Sequence, residues 1–277
     1  MKNELSIAFI GGGNMAAALA SGLAGKVCAA ANIHVIDINQ DAHAAWQARG
    51  MTTSTSPDEA LARCRVWVFA VKPQNMKDVV ASTRQWLRED TLVVSVAAGI
   101  RADTLAAWLG TPEAPFSRLV RCMPNTPALV GAGITGLAAL DGVSEADRAL
   151  ATQLLSSVGE VVWVNGDAAL DGVTALSGSG PAYVFLFLEA LVAGGQKVGL
   201  TAEQSKQLAL GTLAGATRLA AASSEPLSTL RERVTSKGGT TAAALDAFGA
   251  AGFAGIVEEA MAAAARRSRE LAEEFGK

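Results

Sequence analysis

The sequence predicts an α/β fold in two parts, a doubly wound parallel sheet followed by an all-α region. Three observations carry this reading. Short, continuous, β-branched apolar runs alternate with helical stretches through the first two thirds of the chain. Strand-like runs stop after about Gly166, and only helical patterns follow. With 277 residues, 50% of them hydrophobic, the chain is long enough for two cores and buries roughly three quarters of its unfolded surface.

Residues 5–10, 33–38, 66–71, 92–96 and 119–123 are expected to be strands, because short unbroken apolar runs suit strands covered on both faces. Residues 16–23, 40–49, 57–63, 75–87 and 101–109 are expected to be the helices between them. Ser56-Pro57-Asp58-Glu59 reads as a helix start, with Ser56 at the N-cap and proline in the first position. This alternation implies right-handed βαβ units. Segments 131–140 and 161–164 are expected as edge strands on either side of a helix at 145–156. Helices are then expected at 181–198, 202–222, 226–234, 241–250 and 253–275, giving domains at 1–165 and 166–277. The helix beginning at Pro181 is apolar nearly all round, through Tyr183, Val184, Phe185, Leu186, Phe187 and Leu188. Such a helix must be buried on most sides. Ala209, Gly211, Ala214, Gly215 and Ala216 permit close helix approach. An ordinary helical core is one reading; a dimerisation domain is the stronger one, since about 110 residues have little room to bury so much apolar surface alone.

Composition excludes several classes. A net charge of −3 and a pI of about 5.5 argue against nucleic acid as a partner. Cys28, Cys64 and Cys122 form no CxxC pair and read as reduced, buried thiols of a cytoplasmic protein. With only His34 and His43 present, neither a His-rich metal site nor a Ser-His-Asp triad is expected. The uncharged run 5–25, preceded by Lys2, superficially suggests a signal peptide, but Gly11-Gly12-Gly13-Asn14 breaks it after six residues. Run 122–140 contains Pro124, Asn125 and Pro127. No membrane partner is expected.

Chemistry first shows at Ile7-Ala8-Phe9-Ile10-Gly11-Gly12-Gly13-Asn14-Met15-Ala16. It fits strand, then G-x-G-x-x-A, then helix, the phosphate-binding turn of a Rossmann fold. Gly11 permits the tight turn, Gly13 lets backbone approach a pyrophosphate, and Ala16 allows close helix–strand contact; the helix N-terminus supplies free N–H groups. The alternative is a glycine turn without a ligand. Asp37 ends the second strand, where an acid accepts from the adenosine ribose and repels a 2′-phosphate. Ile38, Asn39 and Gln40 supply no cation, which favours NADH over NADPH. The alternative is that Asp37 only caps the next helix.

Val71-Lys72-Pro73 follows the 66–71 strand at the carboxyl edge where open α/β sheets bind ligands, Lys72 on the adenosine side of the cofactor, although a plain turn is the alternative. Ala97-Ala98-Gly99 has side chains small enough for a flat nicotinamide to lie near the backbone. In Met123-Pro124-Asn125-Thr126-Pro127 two prolines hold Asn125 rigid, either for the nicotinamide carboxamide or for neighbouring loops. Ser236-Lys237-Gly238-Gly239-Thr240-Thr241 precedes an alanine-rich helix, and its glycines free the backbone for a carboxylate-binding nest or simply for a capping loop. Ser177-Gly178-Ser179-Gly180 is expected to open the long apolar helix and to line the same cleft. Tyr183, the only tyrosine, suits a packed ring as well as an acid and is not assigned catalysis.

Five segments occur in order: 9–16, Ala70-Val71-Lys72-Pro73-Gln74, Arg121-Cys122-Met123-Pro124-Asn125-Thr126-Pro127, Ser177-Gly178-Ser179-Gly180-Pro181-Ala182-Tyr183 and 234–241. In them the chain resembles the pyrroline-5-carboxylate reductases over its full length, and the last three are specific to that family. The resemblance implies NAD(P)H-dependent reduction of the cyclic imine 1-pyrroline-5-carboxylate to L-proline, the last step of proline biosynthesis. It implies an intertwined homodimer, commonly assembled into decamers. Carried over position by position, it makes Thr241 the catalytic hydroxyl nearest the ring nitrogen. Substrate binding falls to Val234, Ser236, Gly238, Gly239, Thr240, Thr241 and Ser177. Cofactor binding falls to Gly11, Gly13, Asn14, Met15, Asp37, Val71, Lys72, Pro73, Ala98, Gly99 and Asn125, with no metal. β-Hydroxyacid dehydrogenases have a similar layout but need a lysine in or just after the glycine-rich segment to move a hydroxyl proton; residues 177–189 hold none, and the next is Lys197. A silent dinucleotide-binding regulator would not need the 236–241 residues.

Overall fold

The computed structural model describes residues 5–277; Lys2, ahead of the first apolar run, lies outside them. The sheet is built from β1 (Ile7–Ile10), β2 (Ile33–Ile36), β3 (Thr52–Ser54), β4 (Val66–Phe69), β5 (Leu92–Ser95), β6 (Leu119–Met123), β7 (Gly133–Ala139) and β8 (Gly159–Trp163). Their order is β3-β2-β1-β4-β5-β6-β7-β8. All neighbours pair parallel except β6 and β7, which pair antiparallel. The crossover helices are α1 (Asn14–Leu23), α2 (His43–Gln47), α3 (Met76–Thr83), α4 (Ala102–Leu109) and α5 (Glu145–Leu155). Strand residues alternate between two cores. Ile7, Phe9, Val35, Val66 and Val94 face α1 and α5, whereas Ala8, Ile10, Trp67, Phe69 and Val93 pack with α3 and α4. Both faces are dry, which is why the strands read as unbroken apolar runs.

Three expectations change. β3 was not anticipated: Thr52-Thr53-Ser54 carries no apolar signal, and its place is set by backbone pairing with β2 at the sheet edge. Segment 131–140 does not form an edge; β7 lies between β6 and β8, and β8 is the edge. The helix expected at 57–63 is a 3-10 turn, Glu59–Arg63, capped by Asp58 rather than Ser56, because Asp58 Oδ1 accepts the Ala60 N–H at 2.9 Å.

Beyond β8 the chain is helical: α6 (Leu170–Val173), α7 (Gly180–Lys197), α8 (Ala202–Ala221), α9 (Leu227–Arg233), α10 (Thr240–Ala250) and α11 (Phe253–Phe275). The chain up to Ser179 forms one unit together with Ala263–Lys277, and Gly180–Ala262 forms the second. No residue of α7 is buried within this chain, so it is not an ordinary helical core of one chain, the weaker of the two expectations; Val184, Phe185 and Leu186 are 50%, 59% and 66% exposed. One chain lacks the surface to cover it. The run Asp167–Lys197 is also long and apolar enough by composition to cross a bilayer. All three cysteines are free and buried; burial pushes the Cys64 thiol up to about 11 and that of Cys122 higher still, so neither is a ready nucleophile.

One buried carboxylate ties the sheet to its crossover. Asp147, 1% exposed, accepts from Arg118 Nε and Nη2 at 2.8 Å, from Arg65 Nη2 at 3.2 Å and from Ser144 Oγ at 2.8 Å. Arg65 and Arg118 precede β4 and β6, and Ser144 with Asp147 forms the capping box of α5. Burial alone would raise the carboxyl; the Arg118 and Ser144 hydrogen bonds and the Arg118 charge outweigh it and hold the group at about 2. A lowered carboxyl stabilises the fold above its unfolded range, near pH 4, and that contribution is lost as pH falls toward 2. Acid denaturation should therefore remove about 2 kcal/mol through this group. Asp147→Asn should lower the unfolding free energy at pH 7 by about 3 kcal/mol and flatten the acid limb, checked by urea titration at pH 7 and pH 3.

Candidate dinucleotide and substrate site

The loops after β1, β2 and β4 meet at the carboxyl edge of the sheet around a cleft of about 510 Å³, whose lining includes Gly11, Gly12, Gly13, Asp37, Val71 and Lys72. Parallel strands send their crossover loops to this edge. Gly11 has φ +100°, and a Cβ there would come within 2.7 Å of the Ala70 carbonyl oxygen, so only glycine lets β1 turn into α1 beside β4. Gly13 is the N-cap of α1 and no side chain caps the helix; a Cβ built on it meets open space. Asn14 is exposed and Met15 half-buried, whereas Ala16 is fully buried against the strands. An uncapped helix N-terminus opening onto a cleft fits a dinucleotide pyrophosphate, whose charge it would receive on free N–H groups.

Asp37 does something the sequence did not disclose. Its Oδ2 accepts the Gly12 N–H at 2.7 Å and its Oδ1 accepts the Asn39 N–H at 2.8 Å. The cap of the following turn is Asn39, which accepts from Asp41 N–H, so Asp37 is not the helix cap. Its carboxylate has further lone pairs and still faces the cleft. Lys72 is the N-cap of the 3-10 turn Pro73–Asn75, with Pro73 at its start. Thr55, Ser56 and Asn75 also line the cleft; the first two follow β3, whose polar sequence hid the strand that delivers them.

Ala98, Gly99 and Asn125 follow β5 and β6 on the same edge and are not among the lining of that cleft. Ala98 is exposed and Gly99, at φ +75°, is buried. Asn125, 8% exposed, accepts the Ile134 N–H at 3.0 Å and donates from Nδ2 to the Ser177 carbonyl at 3.2 Å. That carbonyl is accessible because Thr174–Gly178 forms a π-helical turn, with the Ser179 N–H reaching back to Thr174 O at 2.8 Å. Ser177-Gly178-Ser179-Gly180 leads from this π turn into α7, which begins at Gly180 as expected, and Ser177 Oγ bonds the Val173 carbonyl.

The remaining predicted residues sit in the other unit. Val234 caps the end of α9 and is 64% exposed. Gly238 has φ +72°, and a Cβ on Gly239 would come within 2.4 Å of Ser236 Oγ, whose own carbonyl accepts the Gly239 N–H at 3.0 Å. Gly239 is the N-cap of α10 with no side-chain cap, so Thr240 and Thr241 open the helix without closing it. Thr241 is half-buried, and the neighbouring Ser236 and Thr240 are exposed.

Comparison with known proteins also divides the chain into an N-terminal and a C-terminal part. A family described as pyrroline-5-carboxylate reductase dimerisation matches residues 167–271, and one described as NADP oxidoreductase, coenzyme F420-dependent, matches residues 6–99. A pyrroline-5-carboxylate reductase of Pseudomonas aeruginosa is 46% identical over 271 residues, 98% of each chain. The chain belongs to the pyrroline-5-carboxylate reductase family. The enzyme of that name from Pisum sativum is 39% identical over 98% of this chain and 97% of its own. Among solved structures, the reductase of Coxiella burnetii superposes with TM-score 0.90 at 35% identity, covering 97% of this chain and 99% of that one. The Plasmodium falciparum enzyme, solved with NADP bound, gives 0.85 at 30% identity, covering 98% and 99%.

Within this family scaffold Asn125 is a structural link whatever else it holds. Asn125→Ala leaves the Ile134 N–H and the Ser177 carbonyl without that partner. Unfolding free energy should drop by about 1–3 kcal/mol, measured by denaturant titration; a change below about 0.5 kcal/mol would show that water replaces the amide.

Proposed function

We propose that this protein reduces 1-pyrroline-5-carboxylate to L-proline with NADH or NADPH, the final step of proline biosynthesis. The observation that supports it is the pair of glycine-led, uncapped helix N-termini: α1 beside a cleft edged by Asp37 and Lys72, and α10 at the end of the Ser236–Thr241 loop. The first suits a pyrophosphate and the second the single carboxylate of the imine acid. Domain 1–165 takes the dinucleotide, with Gly11, Gly13, Asn14 and Met15 at the pyrophosphate, Asp37, Val71, Lys72 and Pro73 toward adenosine, and Ala98, Gly99 and Asn125 toward nicotinamide. Domain 166–277 takes the substrate, through Val234, Ser236, Gly238, Gly239, Thr240, Thr241 and Ser177. It also dimerises through the apolar surface that one chain leaves exposed on α7. A decamer would be five such dimers, and free buried thiols suit the cytoplasm.

The chemistry asks little of the protein. The reduced nicotinamide supplies a hydride to the imine carbon, and the ring nitrogen takes a proton, converting C=N to CH–NH. The chain binds the imine, orients it and supports its nitrogen as charge changes. No strong base is needed, which agrees with a loop that offers hydroxyls, backbone N–H groups and the Lys237 ammonium but no carboxylate or imidazole. Thr241 bonds the nitrogen, and the proton comes from water or arrives with the substrate.

Asp37 at the end of β2, followed by no cation before Asp41, favours NADH at least equally with NADPH, although Lys72 on the same cleft favours a 2′-phosphate. Comparing kcat/KM for the two cofactors tests this; a tenfold preference for NADPH, about 1.4 kcal/mol, contradicts it. Thr241→Ala should lower kcat by about ten- to a hundredfold and leave dinucleotide affinity unchanged, while Thr241→Ser keeps most activity. Since no side chain caps α10, a lower melting temperature with normal turnover would remove Thr241 from the chemistry.

A further inference from the structure

The loop after β5 has two sides. Ala98 is exposed on one, and on the other Gly99 is backed by the last turns of α11: a methyl added at Gly99 would sit 3.1 Å from Phe275 Cδ2 and 3.3 Å from Leu271 Cβ. Two residues further on, Arg101 starts α4. Its guanidinium donates to Asp171 Oδ2 at 2.7 Å and lies 3.5 Å from Asp167 Oδ2. Ser268 of α11 donates to the other oxygen of Asp171 at 2.7 Å, and both residues are buried. Arg121, 1% exposed, completes the network on Asp167 at 3.0 Å. Helix α11 therefore backs this short loop directly, by a ring behind Gly99, and indirectly, by a hydroxyl on the carboxylate that holds Arg101.

We propose that Phe275 and Ser268 are positioning residues for the reduction, holding the Ala98–Gly99 loop from behind so that its open face presents a fixed backbone to the nicotinamide. This rests on the reading of that loop as the nicotinamide side of the site. A loop with tiny side chains cannot anchor itself by packing; its only Cβ on the open side is that of Ala98, and Gly99 has none. Whatever fixes it must come from elsewhere in the chain, and here it comes from residues about 170 positions later. The glycine turn and Asp37, which hold the rest of the dinucleotide, are built from β1 and β2 and are untouched by these contacts. Loss of the support therefore acts on hydride-transfer geometry rather than on cofactor affinity, because small misplacements of reacting groups lower turnover steeply.

The test uses the full-length protein and reads kcat, dinucleotide dissociation constant and melting temperature on each variant. Phe275→Ala should lower kcat about five- to twentyfold with the dissociation constant changed less than about twofold, and Phe275→Leu should restore most of the turnover. Ser268→Ala should lower kcat about two- to fivefold in the same manner, and it carries the test alone if Phe275→Ala does not fold. Ala98→Val, which puts bulk on the open face, should lower kcat at least about tenfold without lowering the melting temperature. Normal turnover in both Phe275→Ala and Ser268→Ala with only a lower melting temperature overturns the positioning role. If Ala98→Val is then still impaired, the nicotinamide-side reading survives and the support alone is wrong. Unchanged catalysis in Ala98→Val removes the reading itself, and the proposal with it.

Discussion

Parallel pairing is the constraint on which the cofactor unit depends. Because β1, β2, β4, β5 and β6 run in one direction, their outgoing loops emerge along a single edge, and residues as distant as Gly11, Lys72 and Asn125 become neighbours of that edge without touching in sequence. Burial of both faces keeps the strands in register, since a slip would move every apolar side chain to the wrong core. The loops themselves are then free to carry polar backbone. The Gly12 N–H on the Asp37 carboxylate at 2.7 Å is where two of these loops are locked to each other. The same acid that faces the cleft fixes the turn that opens α1, so the acid and the glycines form one device.

The helical unit obeys a different constraint. α7 has apolar side chains on all sides and none is buried within the chain. An apolar helix left open in this way agrees with the dimerisation family matched over 167–271. Helix α11 belongs to both parts: its first turns, with exposed Phe253, Ile256 and Val257, count with the helical unit, and its last turns with the sheet. Ser268 and Phe275 lie toward one end and the exposed apolar side chains toward the other.

Much of this was legible in the sequence because local signals and the fold agree. The run into Gly11-Gly12-Gly13 has strand, turn and helix signals in sequence, and the five long apolar runs became five strands. β3 escaped because Thr52-Thr53-Ser54 owes its conformation to pairing with His34, Val35 and Ile36 rather than to its own pattern. Asp58 displaced Ser56 as a cap because the turn begins after Pro57, a choice the dipeptide left open. The Ser177-Gly178 segment has the glycines of a helix start, yet its π turn is stabilised by Asn125, more than fifty residues earlier. The bonds of Asp37 to Gly12, and of Ser268 to Asp171, are likewise long-range partnerships of short polar side chains, which leave no periodicity to read.

The chemistry that results is economical. The proposed reaction needs orientation more than acid–base strength, and two uncapped helix N-termini, the Asp37 carboxylate and the Thr241 hydroxyl are the groups proposed to supply it. The activity proposed for this arrangement is reduction of the cyclic imine acid. Purified protein should be mixed with NADH and 1-pyrroline-5-carboxylate, and the loss of reduced nicotinamide followed together with the proline formed. One proline per nicotinamide oxidised, dependent on both substrates, is the predicted result; nicotinamide left unconsumed, with no proline formed with either NADH or NADPH, would contradict the account.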